Sequence, residues 1–226
     1  MSKIRLEAIT DGIFAIVMTL LVIEIRVPEL VGKFSNEHLV SDLKHLSPLF
    51  LSFFLSFAVL VNYWISHNFL ITIMARNVSR NLSYINFVFL SFVSLIPFSS
   101  HLLGSYPESS VAVSFYSLNV LIIALLIYAI REYILRSPRI ENPATTDLKL
   151  DAHGSYSNKD RFYGTARIAI SVGCSVIALV LSSVNTYFAI FLLLIPVLIG
   201  AIPGSLSFIL KVTRLEKLAR EEDAKL

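Results

Sequence analysis

Long apolar runs separated by short polar breaks divide the chain, at about residues 5–27, 42–69, 81–104, 109–133, 163–183 and 186–211. Each run approaches or exceeds the roughly 20 residues a helix needs to cross a hydrocarbon core. None shows the inside-out alternation of an outer-membrane barrel strand. The pattern therefore predicts an all-α membrane protein, six transmembrane helices in a single repeat forming one domain over 1–226. Two segments stand outside the runs. Residues 134–162, which include "SPRIENPATTDLKLDAHGSYSNKD", are polar, broken by proline and glycine, and too poor in apolar residues to fold as a domain. Residues 212–226 extend the last run as a charged, amphipathic tail.

The first run, "RLEAITDGIFAIVMTLLVIEIR", carries Arg5, Glu7 and Asp11 at its start. It has no basic n-region, short apolar stretch and cleavage site in the order of a signal peptide, so it is expected to remain as a helix. Only 12 uncharged residues separate Asp11 from Glu24. That is short for a helix facing lipid on all sides, and suits one surrounded by protein or beside water. At 100° per residue Ile16, Leu20, Ile23 and Val27 share a stripe, with Thr19 at its edge and Arg5 on the same side. Copies of this helix around an axis would form apolar rings able to gate by dewetting; ordinary helix packing gives the same spacing.

Composition agrees with the pattern. The chain has 226 residues, of which 55% are hydrophobic and 15% charged, with a mean hydropathy of +0.72, more apolar surface than a soluble core of this size hides. Charge adds an orientation. With the N-terminus in the cytoplasm, all of the 19 basic residues except Arg26, Lys33 and Lys44 fall on the cytoplasmic side, the C-terminal tail included. One cysteine, Cys174, excludes an intrachain disulfide or thiolate metal site and reads as a packing residue.

In this topology the end of the second helix, "NYWISHN", meets the start of the first. Arg5 and Asp11 then face a layer of Asn62, Trp64, His67 and Asn68, with Asn81, Ser83 and Asn86 beyond, and a polar network is expected because ionisable groups at membrane depth pair or line water. Glu7 reads as an interfacial residue among head groups. A proton-coupled secondary transporter would use the same Arg/Asp/His set as a relay, together with inverted repeats and broken helices that the sequence does not display. A hydrolase would need H-E-x-x-H, G-x-S-x-G or a comparable arrangement, and the five histidines are scattered. "SVGCS" lacks the second glycine and pore loop of a potassium filter and reads, with Ser171, Gly173 and Ser175, as a helix-packing patch. "GAIPG" reads as close helix contact with kinks at Pro196 and Pro203.

"RLEAITD" has the form Arg-x-x-x-aromatic-Ser-Asp that opens the first helix of the endosomal and lysosomal potassium channels, the transmembrane protein 175 family. Arg5, Thr10 and Asp11 match in spacing and chemistry, while Ile9 stands where the family has Phe. The following "GIFAIVMTLLVIEI", the single six-helix repeat and "YWISHN" resemble the same family. The resemblance implies a prokaryotic plasma-membrane protein forming a homotetramer in the bilayer, without nucleic acid, cofactor or resident metal, whose first helices line a pore that passes K+ with modest selectivity. It implies constricting rings from Ile16, Leu20 and Ile23 and a selectivity-assisting hydroxyl at Thr19. Val27 and Glu24 would stand near the pore mouth, and Arg5, Thr10, Asp11, Trp64, His67 and Asn68 would form the polar network.

Overall fold

A computed structural model of the chain describes residues 2–27, 36–137, 140 and 158–201. Its elements are α1 (Lys3–Ile23), α2 (Asn36–His45), α3 (Ser47–Asn68), a π-helical turn (Phe69–Met74), α4 (Arg80–Ser94), α5 (Ile96–Ser105), α6 (Ser110–Leu135), α7 (Asn158–Leu181) and α8 (Thr186–Ala201). Among the described residues four stretches are long and apolar enough to span a bilayer: Lys3–Ile23, Ser47–Thr72, Arg80–Ser105 and Ser110–Leu135. Shorter apolar stretches lie at Ile168–Leu181 and Thr186–Ile199. Most of the expected loop at 134–162, the tail at 212–226, Pro203 and the end of the sixth run lie outside the described residues.

Several expected boundaries move, each for a local reason. The run expected at 42–69 begins inside α2, a separate short helix, and the chain re-enters helix at Ser47 with Pro48 in the first turn of α3; there the missing N–H of proline costs nothing. The run at 81–104 is broken at Leu95, and Pro97 again stands in the first turn of the helix that follows. The first helix ends at Ile23 and not at 27, which removes Val27 from the helical stripe and leaves it in irregular chain.

The interior is built from one contiguous cluster in which Leu6, Phe14, Leu60, Phe89, Tyr116 and Ile123 are fully buried. Hydroxyls and amides join the helices across it. Ser56 Oγ bonds Tyr116 Oη at 3.0 Å, Tyr63 Oη donates to the Val120 carbonyl at 3.0 Å and meets Ser171 Oγ at 3.0 Å, and Asn119 Nδ2 donates to Ser99 Oγ at 3.2 Å. Small polar side chains of this kind draw membrane helices together because hydrocarbon offers their donors no alternative. α3 and α5 pack closely at Gly104, where a Cβ would overlap Ser52 Oγ and stand 2.8 Å from the Leu49 Cα. Gly173, expected in a packing patch with Ser171 and Ser175, has nothing within 4 Å of such a Cβ; the patch reduces to Ser171, and to Ser175 bonding back to the Ser171 carbonyl at 2.8 Å.

Candidate functional site

α1 has two faces. Leu6, Thr10, Phe14, Val17 and Leu21 recur every three to four residues and are buried against α3, α4 and α5. On the opposite side Ile16 is 60% exposed, Leu20 41% and Ile23 66%, with Thr19, Gly12 and Arg5 exposed between and below them. The helix thus packs by one stripe and leaves a second apolar stripe unpartnered along its whole length.

The Thr19 hydroxyl donates to the Ile16 carbonyl at 2.7 Å, a local bond available one turn back in a helix. Its oxygen keeps its lone pairs on the exposed side. Glu24, just past the helix end, lies with Oε2 3.7 Å from His101 Nδ1 of α5. The two side chains are 42% and 41% exposed, and the carboxylate is turned toward α5 rather than along the exposed stripe.

Three sets of polar contacts hold the other end of α1. In the buried set His67 Nε2 meets Asn86 Oδ1 at 2.5 Å, Asn86 Nδ2 donates to Thr10 Oγ1 at 3.2 Å, and the Thr10 hydroxyl donates to the Leu6 carbonyl at 2.9 Å. Because the Asn86 amide nitrogen is spent on Thr10, its oxygen faces His67, so Nε2 carries the hydrogen. The imidazole stacks on Phe89 with centroids 5.1 Å apart and planes at 6°, and Phe89 lies 6.0 Å from Phe14 of α1. In the second set Trp64 Nε1 donates to Asp11 Oδ1 at 2.8 Å.

The third set was missed in the sequence. Lys3 Nζ donates to the carbonyls of Thr72 at 2.8 Å and Ala75 at 3.0 Å. The Thr72 hydroxyl lies 2.9 Å from Glu7 Oε1 and 2.8 Å from Asn68 Oδ1. Glu7 is therefore an anchor for the π-helical turn that follows α3 and not simply a head-group-level residue. The cause is the π-helical turn: its wider i→i+5 bonding, seen in Ala75 N to Leu70 O at 3.1 Å, leaves carbonyls for a cation to cap. Immediately after it, Arg76 N donates to the Ile140 carbonyl at 2.7 Å. Only the Lys and Glu at helical spacing signalled this arrangement, and a π turn has no reliable sequence mark.

Of the expected network, Thr10, Asp11, Trp64, His67 and Asn68 are engaged, but in separate groups joined through α1. Arg5 is exposed, and none of the described hydrogen bonds or ion pairs includes it; Asp11 takes its hydrogen bond from Trp64.

A family model described as "Endosomal/lysosomal potassium channel TMEM175" matches residues 5–97. A potassium channel of Chamaesiphon minutus is 36% identical over 144 residues, which cover 60% of this chain and 68% of that protein. This chain belongs to the TMEM175 family. A potassium channel of Streptomyces collinus is 29% identical over 179 residues, 77% of this chain and 82% of that one. The fold agrees. The crystal structure of a lysosomal potassium-selective channel TMEM175 homolog from Chamaesiphon minutus superposes with a TM-score of 0.68 at 27% identity, covering 89% of this chain and 97% of that one. The human endosomal/lysosomal proton channel TMEM175 is 37% identical over 103 residues, 43% of this chain and 20% of that protein. As a TMEM175 member with several apolar spans, this chain is an integral multi-pass membrane protein.

Proposed function

We propose that the chain is one subunit of a K+ channel, in which four copies surround an axis with α1 innermost and K+ passes passively between them. Each subunit crosses a prokaryotic plasma membrane six times with both termini in the cytoplasm. The observation that carries this reading is the unpartnered stripe of α1: Ile16, Leu20 and Ile23 are exposed on a helix whose opposite face is fixed by three sets of polar contacts. An apolar stripe held so firmly outward suits a second copy of itself around a narrow path. The names of the bacterial relatives supply the ion.

Four isoleucine side chains cannot replace a hydration shell, so such a ring selects by the cost of removing water and closes by dewetting. Potassium gives up water more readily than sodium, and the preference that follows is modest. The Thr19 hydroxyls, with their hydrogens committed to the Ile16 carbonyls, offer oxygen to a cation one turn beyond the ring. No cofactor or resident metal is required; the permeant ion is the only ligand. Arg5, exposed at the cytoplasmic start of the same stripe, is available to a neighbouring copy.

Recording from purified protein in planar bilayers under opposed K+ and Na+ gradients tests the proposal, with Ile16→Asn beside wild type. Unitary currents reversing toward the K+ potential, with larger conductance and weaker selectivity in the variant, support it. Silent bilayers containing folded oligomer, or a correctly assembled variant with unchanged currents, refute it. A pH gradient in the same recordings separates proton current, the activity named for the vertebrate relatives.

A further inference from the structure

Gly12 has no reason to be glycine within the protomer. It lies in the middle of α1, where glycine costs a helix stability relative to alanine. Its backbone is not in the left-handed region, and a Cβ placed on it meets nothing within 4 Å. Gly104 shows what a packing glycine looks like here, with Leu49 and Ser52 filling the space a Cβ would take. The explanation for Gly12 therefore lies outside the single subunit.

Its position says where. At 100° per residue Gly12 stands about 20° from Thr19 and Ile23 and about 40° from Ile16. It is exposed with them, and about 6 Å along the axis from Ile16 on the cytoplasmic side. Asp11 beside it is held by Trp64, and, its own stretch of helix aside, no heavy atom stands within 4 Å of where a Cβ would be. Where a side chain is missing, the second lone pair of a helical carbonyl is also accessible to water.

We propose that Gly12 leaves a hydrated chamber on the cytoplasmic side of the Ile16 ring, in which a monovalent cation keeps its water until it enters the constriction. This rests on the reading of α1 as the pore helix and adds a residue that sets conductance. Without the chamber an ion would begin to lose its shell one turn earlier, and the dewetted length of the path would grow.

The test compares Gly12→Ser, Gly12→Ala and Gly12→Val with wild type in bilayer recordings, alongside oligomer size and melting temperature of the purified protein. The expected result is a stepwise, severalfold loss of unitary K+ conductance from glycine through alanine to valine. Serine should retain more conductance than valine, with the oligomer intact and the melting temperature unchanged or higher. Unchanged conductance in an assembled Gly12→Val channel would overturn the proposal. So would dissociation or a lower melting temperature in Gly12→Ala, which would mean that another copy's backbone occupies the space. A silent wild type would instead count against the channel reading itself.

Discussion

Trp64 of α3 donates its indole N–H to Asp11 of α1 across 2.8 Å. The bond places a donor-only side chain against an acceptor-only carboxylate. Removing either should release the same restraint. Trp64→Phe and Asp11→Ala are each expected to lower the melting temperature of the solubilised protein, with the double variant losing about 1 kcal/mol less than the sum of the two single losses. Asp11→Asn, which still presents an oxygen, should be milder. Fully additive losses in the double-mutant cycle would show that the bond contributes nothing.

His67, Asn86 and Thr10 form a one-way sequence of donors that ends on the Leu6 carbonyl, and Asn86 is the member that joins two side chains. Asn86→Leu strands the His67 N–H in the interior and should destabilise by about 1–2 kcal/mol. Thr10→Val removes one hydroxyl, whose donation goes to a Leu6 carbonyl on its own helix, and should cost less. Thermal unfolding in detergent ranks the two, and the reverse order would displace Asn86 from its assigned place.

The close contact at Gly104 leaves no room for a methyl group beside the Leu49 backbone. Gly104→Ala should therefore destabilise by about 1–3 kcal/mol through overpacking, although alanine is the better helix former. A stabilised variant would show that α3 and α5 separate without cost.

Lys3 and Glu7 tie the start of α1 to the π-helical turn through Thr72. Lys3→Met should accelerate amide exchange across Phe69–Met74 more than across α3, because the freed carbonyls lose their cap. Equal protection in wild type and variant would remove the capping role.

Thr19→Val keeps size and β-branching while deleting the hydroxyl. On the proposed pore it should narrow the preference for K+ over Na+, read as a shift of reversal potential under bi-ionic conditions, while the Ile16 ring continues to gate. An unchanged reversal potential would leave selectivity to the apolar rings alone.

The exposed stripe of α1 was legible because period alone separates Ile16, Leu20 and Ile23 from Phe14, Val17 and Leu21. Which stripe faced its own subunit was not, since both are apolar and either would satisfy a helical pattern. Similarly, the polar layer could be placed from topology, bringing Trp64 and His67 to the depth of Asp11. The pairing within it depended on side-chain reach across three helices, and Trp64 rather than Arg5 arrives at the carboxylate. Glu7 was misread because its partner, Thr72, reaches it only through a π turn.

The sequence by itself determined that this is a helical membrane protein and marked its long apolar spans, because run length and periodicity are properties of a single segment in lipid. Tertiary structure decided the breaks at Leu46 and Leu95, the end of α1 at Ile23, and which hydrogen bonds hold that helix. Those choices compare alternatives close in local energy, and only contacts between segments distant in the chain make one of them win.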